Sequence, residues 1–189
     1  TFRYQWSSSK TFGFVRKSDI INNTETAISI TVLDGLQNIV PYGVGADLQN
    51  DYSNLVDAYK KSELETDTGL GVFALSAIIV DKAEPSEALK SNIVWSLGIK
   101  NPTYLISSLQ LNSFRKGKDI HQETDIKAEK GAYFVLADIT LQAEEKNSWM
   151  LIANVNQSIS DITYISEKIN KEKDLKALVQ KDVEAGTSH

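Results

Sequence analysis

The sequence predicts a mainly β chain, an antiparallel β-sandwich with two or so accessory helices, one of them C-terminal. Seven or eight segments read as strands, most of them alternating apolar and polar residues, the period-two mark of strands that bury one face. Turn-forming clusters such as Asn22-Asn23-Thr24-Glu25 punctuate them. Only two stretches have convincing helical spacing, and helices do not alternate with strands, which argues against a doubly wound parallel sheet. A length of 189 residues and a hydrophobic fraction of 41% suit a single domain, 1–189, with a real core.

The elements follow in order. Phe2, Tyr4 and Trp6 alternate, and Phe12 and Phe14 resume the period after Ser7-Ser8-Ser9-Lys10, so these aromatics read as core. Ile28, Ile30 and Val32 mark the next strand, from Ala27 to Leu33. Leu33 to Gly45 then reads as neither strand nor helix. Three glycines and one proline fall within eleven residues there, among Leu36, Ile39, Val40 and Tyr42, and predict a shaped, partly buried connection. Tyr52, Leu55, Val56 and Tyr59 sit at helical spacing, with Asp51 or Ser53 as cap, and this helix is expected to fade through Lys60 to Thr68 and end near Gly69.

Val72 to Val80 is apolar on both sides and predicts a strand held between layers. Asp81 to Glu87, with Pro85, reads as a loop. Asn92 to Ile99 alternates again through Ile93, Trp95 and Leu97. Thr103 to Leu111 fits both periods poorly and reads as strand, and Asn112 to Lys130 as an exposed polar excursion with a short helical turn. Ala132 to Ala143 and Trp149 to Val155 alternate on either side of Glu144-Glu145-Lys146-Asn147-Ser148, a hairpin pattern. Ser160-Asp161 offers a cap to a last helix carrying Ile162, Ile165 and Ile169, continued by Leu175, Leu178 and Val179. Residues 183–189 read as a tail or the start of a linker.

Leu33-Asp34-Gly35-Leu36-Gln37-Asn38-Ile39-Val40-Pro41-Tyr42-Gly43, with Phe12-Gly13-Phe14-Val15-Arg16 and the Asn22-Asn23 turn before it, resembles part of the N-terminal β-sandwich of proteins similar to cellobiose phosphorylase. The resemblance implies a galactose-mutarotase-like supersandwich, excised from a longer carbohydrate-active enzyme of the glycoside phosphorylase or hydrolase kind. It also implies a C-terminal (α/α)6 catalytic barrel in the same polypeptide as partner. Catalytic residues would lie in that barrel, so none is carried over and the domain alone is expected to be non-catalytic. Asp34, Gln37, Asn38 and Tyr42 are the candidate sugar or interdomain contacts, Tyr42 being the best stacking platform. An oligosaccharide and a second copy in a homodimer are the further candidate partners.

The residues themselves exclude more than they assign. A net charge of −5 with scattered Lys and Arg argues against nucleic acid, and no run approaches the length of a membrane span. The absence of cysteine removes disulfides, thiolate zinc sites and cysteine nucleophiles. His121 is the only internal histidine and lies in a polar stretch, where it reads as a surface residue. Asp119, His121, Glu123 and Asp125 alternate and would share a strand face, a weak metal-like spacing. No metal or other cofactor is expected. Asp34 reads first as a turn-forming aspartate. Two rival functions remain: a free-standing carbohydrate-binding module, which needs an exposed row of two or three aromatics, and a mutarotase-type epimerase, which needs a histidine paired with a carboxylate.

Overall fold

The computed structural model describes residues 1–77 and 89–187. The end of the expected Val72–Val80 strand and the Asp81–Glu87 loop fall outside the described residues, as does His189. The chain is mainly β, and the described residues form two antiparallel sheets and five helices, the last at the C-terminus. The larger sheet has seven strands, in the order β1 (Phe2–Ser9), β2 (Gly13–Ile21), β10 (Lys146–Gln157), β6 (Ser91–Leu97), β5 (Leu70–Leu75), β4 (Lys60–Glu65) and β8 (Asp125–Lys127). The smaller has three: β3 (Ile28–Ile39), β9 (Gly131–Leu141) and β7 (Thr103–Ser107). The helices are α1 (Ala46–Asp51), α2 (Ser53–Tyr59), α3 (Leu111–Arg115), α4 (Ile159–Lys171) and α5 (Leu175–Thr187).

The large sheet is the middle layer of three. On one face, Val15, Ile93, Trp95, Met150 and Ile152 pack against Ile165, Leu175 and Val179 of α4 and α5. On the other, Phe73, Val94 and Leu151 meet Tyr133 and Val135 of the small sheet, and Trp149 meets Ala137, Ile139 and Leu141. The middle layer explains the unbroken run Trp149-Met150-Leu151-Ile152: successive side chains point to opposite faces, and both faces are covered.

Several expectations are corrected by this layout. Leu33 to Gly45 is no separate connection at first, because β3 runs straight through it to Ile39. Gly35 is there for close approach: a Cβ would lie 2.2 Å from the carbonyl oxygen of Tyr133 on β9. Asn38, at φ 55°, forms the irregularity at which pairing shifts from Leu36–Tyr133 to Ile39–Gly131. Lys60 to Glu65 is strand, not fading helix, because Lys60, Ser62 and Leu64 alternate inward and pair with β5.

The expected hairpin is also not one. β9 lies between β3 and β7, and β10 lies between β2 and β6, so the turn after Leu141 crosses from one sheet to the other. Alternation identifies both strands, but partner choice depends on which layers need covering. The Thr103–Leu111 stretch splits into β7 and the start of α3, and the polar excursion contains α3 and β8. The last helix breaks into α4 and α5. Ser158, rather than Ser160, caps α4 in a capping box with Asp161, each satisfying a backbone N–H that the first turn leaves unpaired. Residues 183–187 continue α5, and Asp182 ties it to the β1–β2 turn through Ser9 and Thr11.

Candidate aromatic recognition face

Among the described residues the edge strand β1 pairs only with β2, matching Phe2 with Ile20, Tyr4 with Ser18, Trp6 with Arg16 and Ser8 with Phe14. Residues opposite one another share a face. Phe2, Tyr4, Trp6, Phe14, Arg16 and Ser18 are therefore on the side of the large sheet that faces the small one. The small sheet buries Arg16 and Ser18 but leaves the face of β1 open. Phe2 is 49% exposed, Tyr4 61%, Trp6 48% and Phe14 53%. The expectation that these rings are core is thus overturned: their alternation marks a common face, and nothing among the described residues covers it.

The row is anchored from behind by two routes that converge on Asp34. The Arg16 guanidinium carbon lies 5.6 Å from the Tyr4 ring centre and 6.0 Å from that of Trp6. Its Nη1 donates to the Gly35 carbonyl at 3.1 Å, and its Nη2 ion-pairs with Asp34 Oδ1. The Nη2 contact is electrostatic rather than a well-formed hydrogen bond, and Nε meets no acceptor among the described residues. In the second route Phe2 stacks on Trp149 at 6.0 Å, and Trp149 Nε1 donates to Asp34 Oδ2 at 2.7 Å. Ser18 Oγ adds a weaker bond to the same oxygen at 3.3 Å. Arg16 and Asp34 expose only 10% and 12% of their side chains. A cation held beneath aromatic rings fixes their orientation, so less freedom is lost when something stacks on them.

The sequence candidates separate in space. Asp34 is at the base of the row but points between the sheets, where it is a cross-sheet clasp rather than a turn former. Gln37 is exposed and donates to Ser108 Oγ at 3.3 Å, Asn38 is exposed at the β3 irregularity, and Tyr42 is 43% exposed beyond the strand. These three share no hydrogen bond, ion pair or ring contact with the row. Arg16 and the exposure of Tyr4 and Trp6 were missed by pattern reading. No signal in the sequence separated them from core positions, because Trp95, Tyr133 and Trp149 alternate in the same way and are buried.

The other candidate chemistry is absorbed by structure. Glu123 is buried and accepts from the Ile106 and Ser107 amides at 2.9 and 2.8 Å, from Ser107 Oγ at 3.0 Å and from Gln110 Nε2 at 2.9 Å. That turns it away from Asp119, His121 and Asp125. Among the described residues no group of three or more His, Asp or Glu is placed to hold a metal. His121 is exposed beside a surface cleft also lined by Thr31, Lys118 and Asp138. Among the described residues no helix is long and apolar enough to cross a membrane.

No protein-family model matches this chain, and no curated protein matches it in sequence.

Proposed function

We propose that this chain is a non-catalytic β-sandwich domain of a carbohydrate-active protein resembling cellobiose phosphorylase, and that the face of β1 and β2 is its contact surface towards a helical catalytic barrel. The carrying observation is the exposed row of Phe2, Tyr4, Trp6 and Phe14, the first three of them anchored by Trp149 or Arg16. Four large rings on one open sheet face exceed the singly scattered apolar residues of ordinary surfaces. The acids that attracted attention in the sequence, Asp34 and Glu123, are both engaged in holding the fold.

The row itself favours a second reading, a carbohydrate-binding module, because exposed rings with fixed orientation also suit stacking on pyranose faces. Calorimetry of the chain with gluco- and manno-oligosaccharides, alongside Tyr4→Ala and Trp6→Ala, separates the two. The docking reading expects no sugar binding by the isolated chain, and a blue shift and quenching protection of Trp6 fluorescence in a protein that also carries the barrel. Sugar binding that both substitutions abolish transfers the face to the second reading. Phosphorolysis or hydrolysis of β-glucosides by the isolated chain overturns both.

A further inference from the structure

Away from the aromatic face, a pocket of about 270 Å³ opens at one end of the sandwich between the end of β3, helix α1 and the start of β4. It is lined by Asn38, Ile39, Val40, Gln49, Lys60 and Lys130. We propose that it binds an oxyanion, the carboxylate or phosphate group of a small ligand.

Lys60 carries the inference. It is only 3% exposed, although it opens a strand at the edge of the core. Its ammonium donates to Gln49 Oε1 at 2.7 Å and to Asp57 Oδ1 at 2.6 Å. An ammonium has three N–H groups, and the third has no acceptor among the described residues. Because Gln49 spends its carbonyl oxygen on Lys60, its amide N–H groups remain as donors. Lys130 brings a second cation to the lining, and no lining residue carries a carboxylate. Asp57 offsets one of the two charges from outside the lining, which leaves the pocket cationic by one. A donor-rich, cationic lining with apolar walls from Ile39 and Val40 selects an anionic group and leaves room for a small apolar or sugar-like remainder. The volume lies just under the range of ordinary small-molecule sites, about 300–1,000 Å³.

The test is ¹⁵N NMR of the chain titrated with inorganic phosphate and, separately, sodium acetate, against sodium chloride at matched ionic strength. Saturable shifts confined to the amides of residues 38–40, 49 and 60 support the site, and whichever anion saturates names the source of the oxyanion. Lys130→Gln, an exposed change that leaves the fold intact, is expected to weaken binding about fivefold. Lys60→Met is expected to abolish it, with a thermal melt confirming that the variant is folded. Shifts that fail to saturate, that chloride reproduces, or that persist undiminished in Lys130→Gln overturn the proposal.

Discussion

Arg16 on β2 reaches across the sandwich to Asp34 on β3, and the rings of Tyr4 and Trp6 rest over the same guanidinium. One ion pair therefore joins the two sheets and orients the exposed face. Removing a single partner of a buried pair leaves an uncompensated charge, so Asp34→Ala is expected to cost about 3–5 kcal/mol. Asp34→Asn keeps an acceptor for Trp149 Nε1 and is expected to cost less. Urea unfolding of both variants checks the order; equal and negligible losses would show that the clasp contributes nothing.

The exposed rings separate function from stability. Trp6→Ala removes a half-exposed ring and one cation–π contact, a loss of about 1 kcal/mol or less. Trp95→Ala empties a fully enclosed site between the large sheet and the helices, a loss of about 3–5 kcal/mol. Chemical denaturation of the two variants side by side is the measurement. A Trp6→Ala loss as large as that of Trp95→Ala would mean that the face is core.

Two glycines of one stretch are needed for different reasons. At Gly35 an added Cβ meets the Tyr133 carbonyl oxygen at 2.2 Å and the Phe134 ring at 2.3 Å, so Gly35→Ala must push β3 off β9. The expected cost is about 3 kcal/mol. Gly43 has open space around it but a φ of +87°, so Gly43→Ala costs about 1 kcal/mol of backbone strain alone. Thermal melts should rank them in that order.

Acid should loosen the tie between the C-terminal helix and the β1–β2 turn. Hydrogen bonds from Ser9 Oγ and the Thr11 amide hold the Asp182 carboxyl below its ordinary value of 3.8. A depressed folded-state value means that its contribution is present above about pH 3.8 and fades as pH falls through the lower folded value. In Asp182→Asn that part of the acid dependence should vanish. Hydrogen exchange of α5 amides between pH 5 and pH 3 would show it, and an unchanged profile would remove Asp182 from the account.

Alkali acts on the core between the sheets. Burial pushes the Tyr133 phenol well above its ordinary 10.0, and its hydroxyl donates to the Gly69 carbonyl at 2.7 Å. The unfolded chain ionises this tyrosine first, so stability is retained below about pH 10 and declines as pH rises beyond it. Tyr133→Phe is expected to lose the hydrogen bond, about 1 kcal/mol, and to flatten that decline. A melting series from pH 8 to pH 11 tests both parts.

By itself the sequence determined the class of fold and most strand positions, since period-two alternation and turn chemistry are local properties of the chain. β1, β2, β6, β9 and β10 all fall where alternation places them, and α4 where its isoleucines recur. Tertiary structure alone decided which sheet each strand joins, and so turned an expected hairpin of β9 and β10 into a crossing between layers. It decided that β3 continues through Gly35, because only the approach of Tyr133 shows that the glycine makes room rather than a turn. It also decided that Tyr4 and Trp6 are exposed while Arg16 and Lys60 are buried and Asp34 is mostly covered. Alternation states which residues share a face; what lies across from that face depends on residues more than a hundred positions away, such as Trp149 for Phe2.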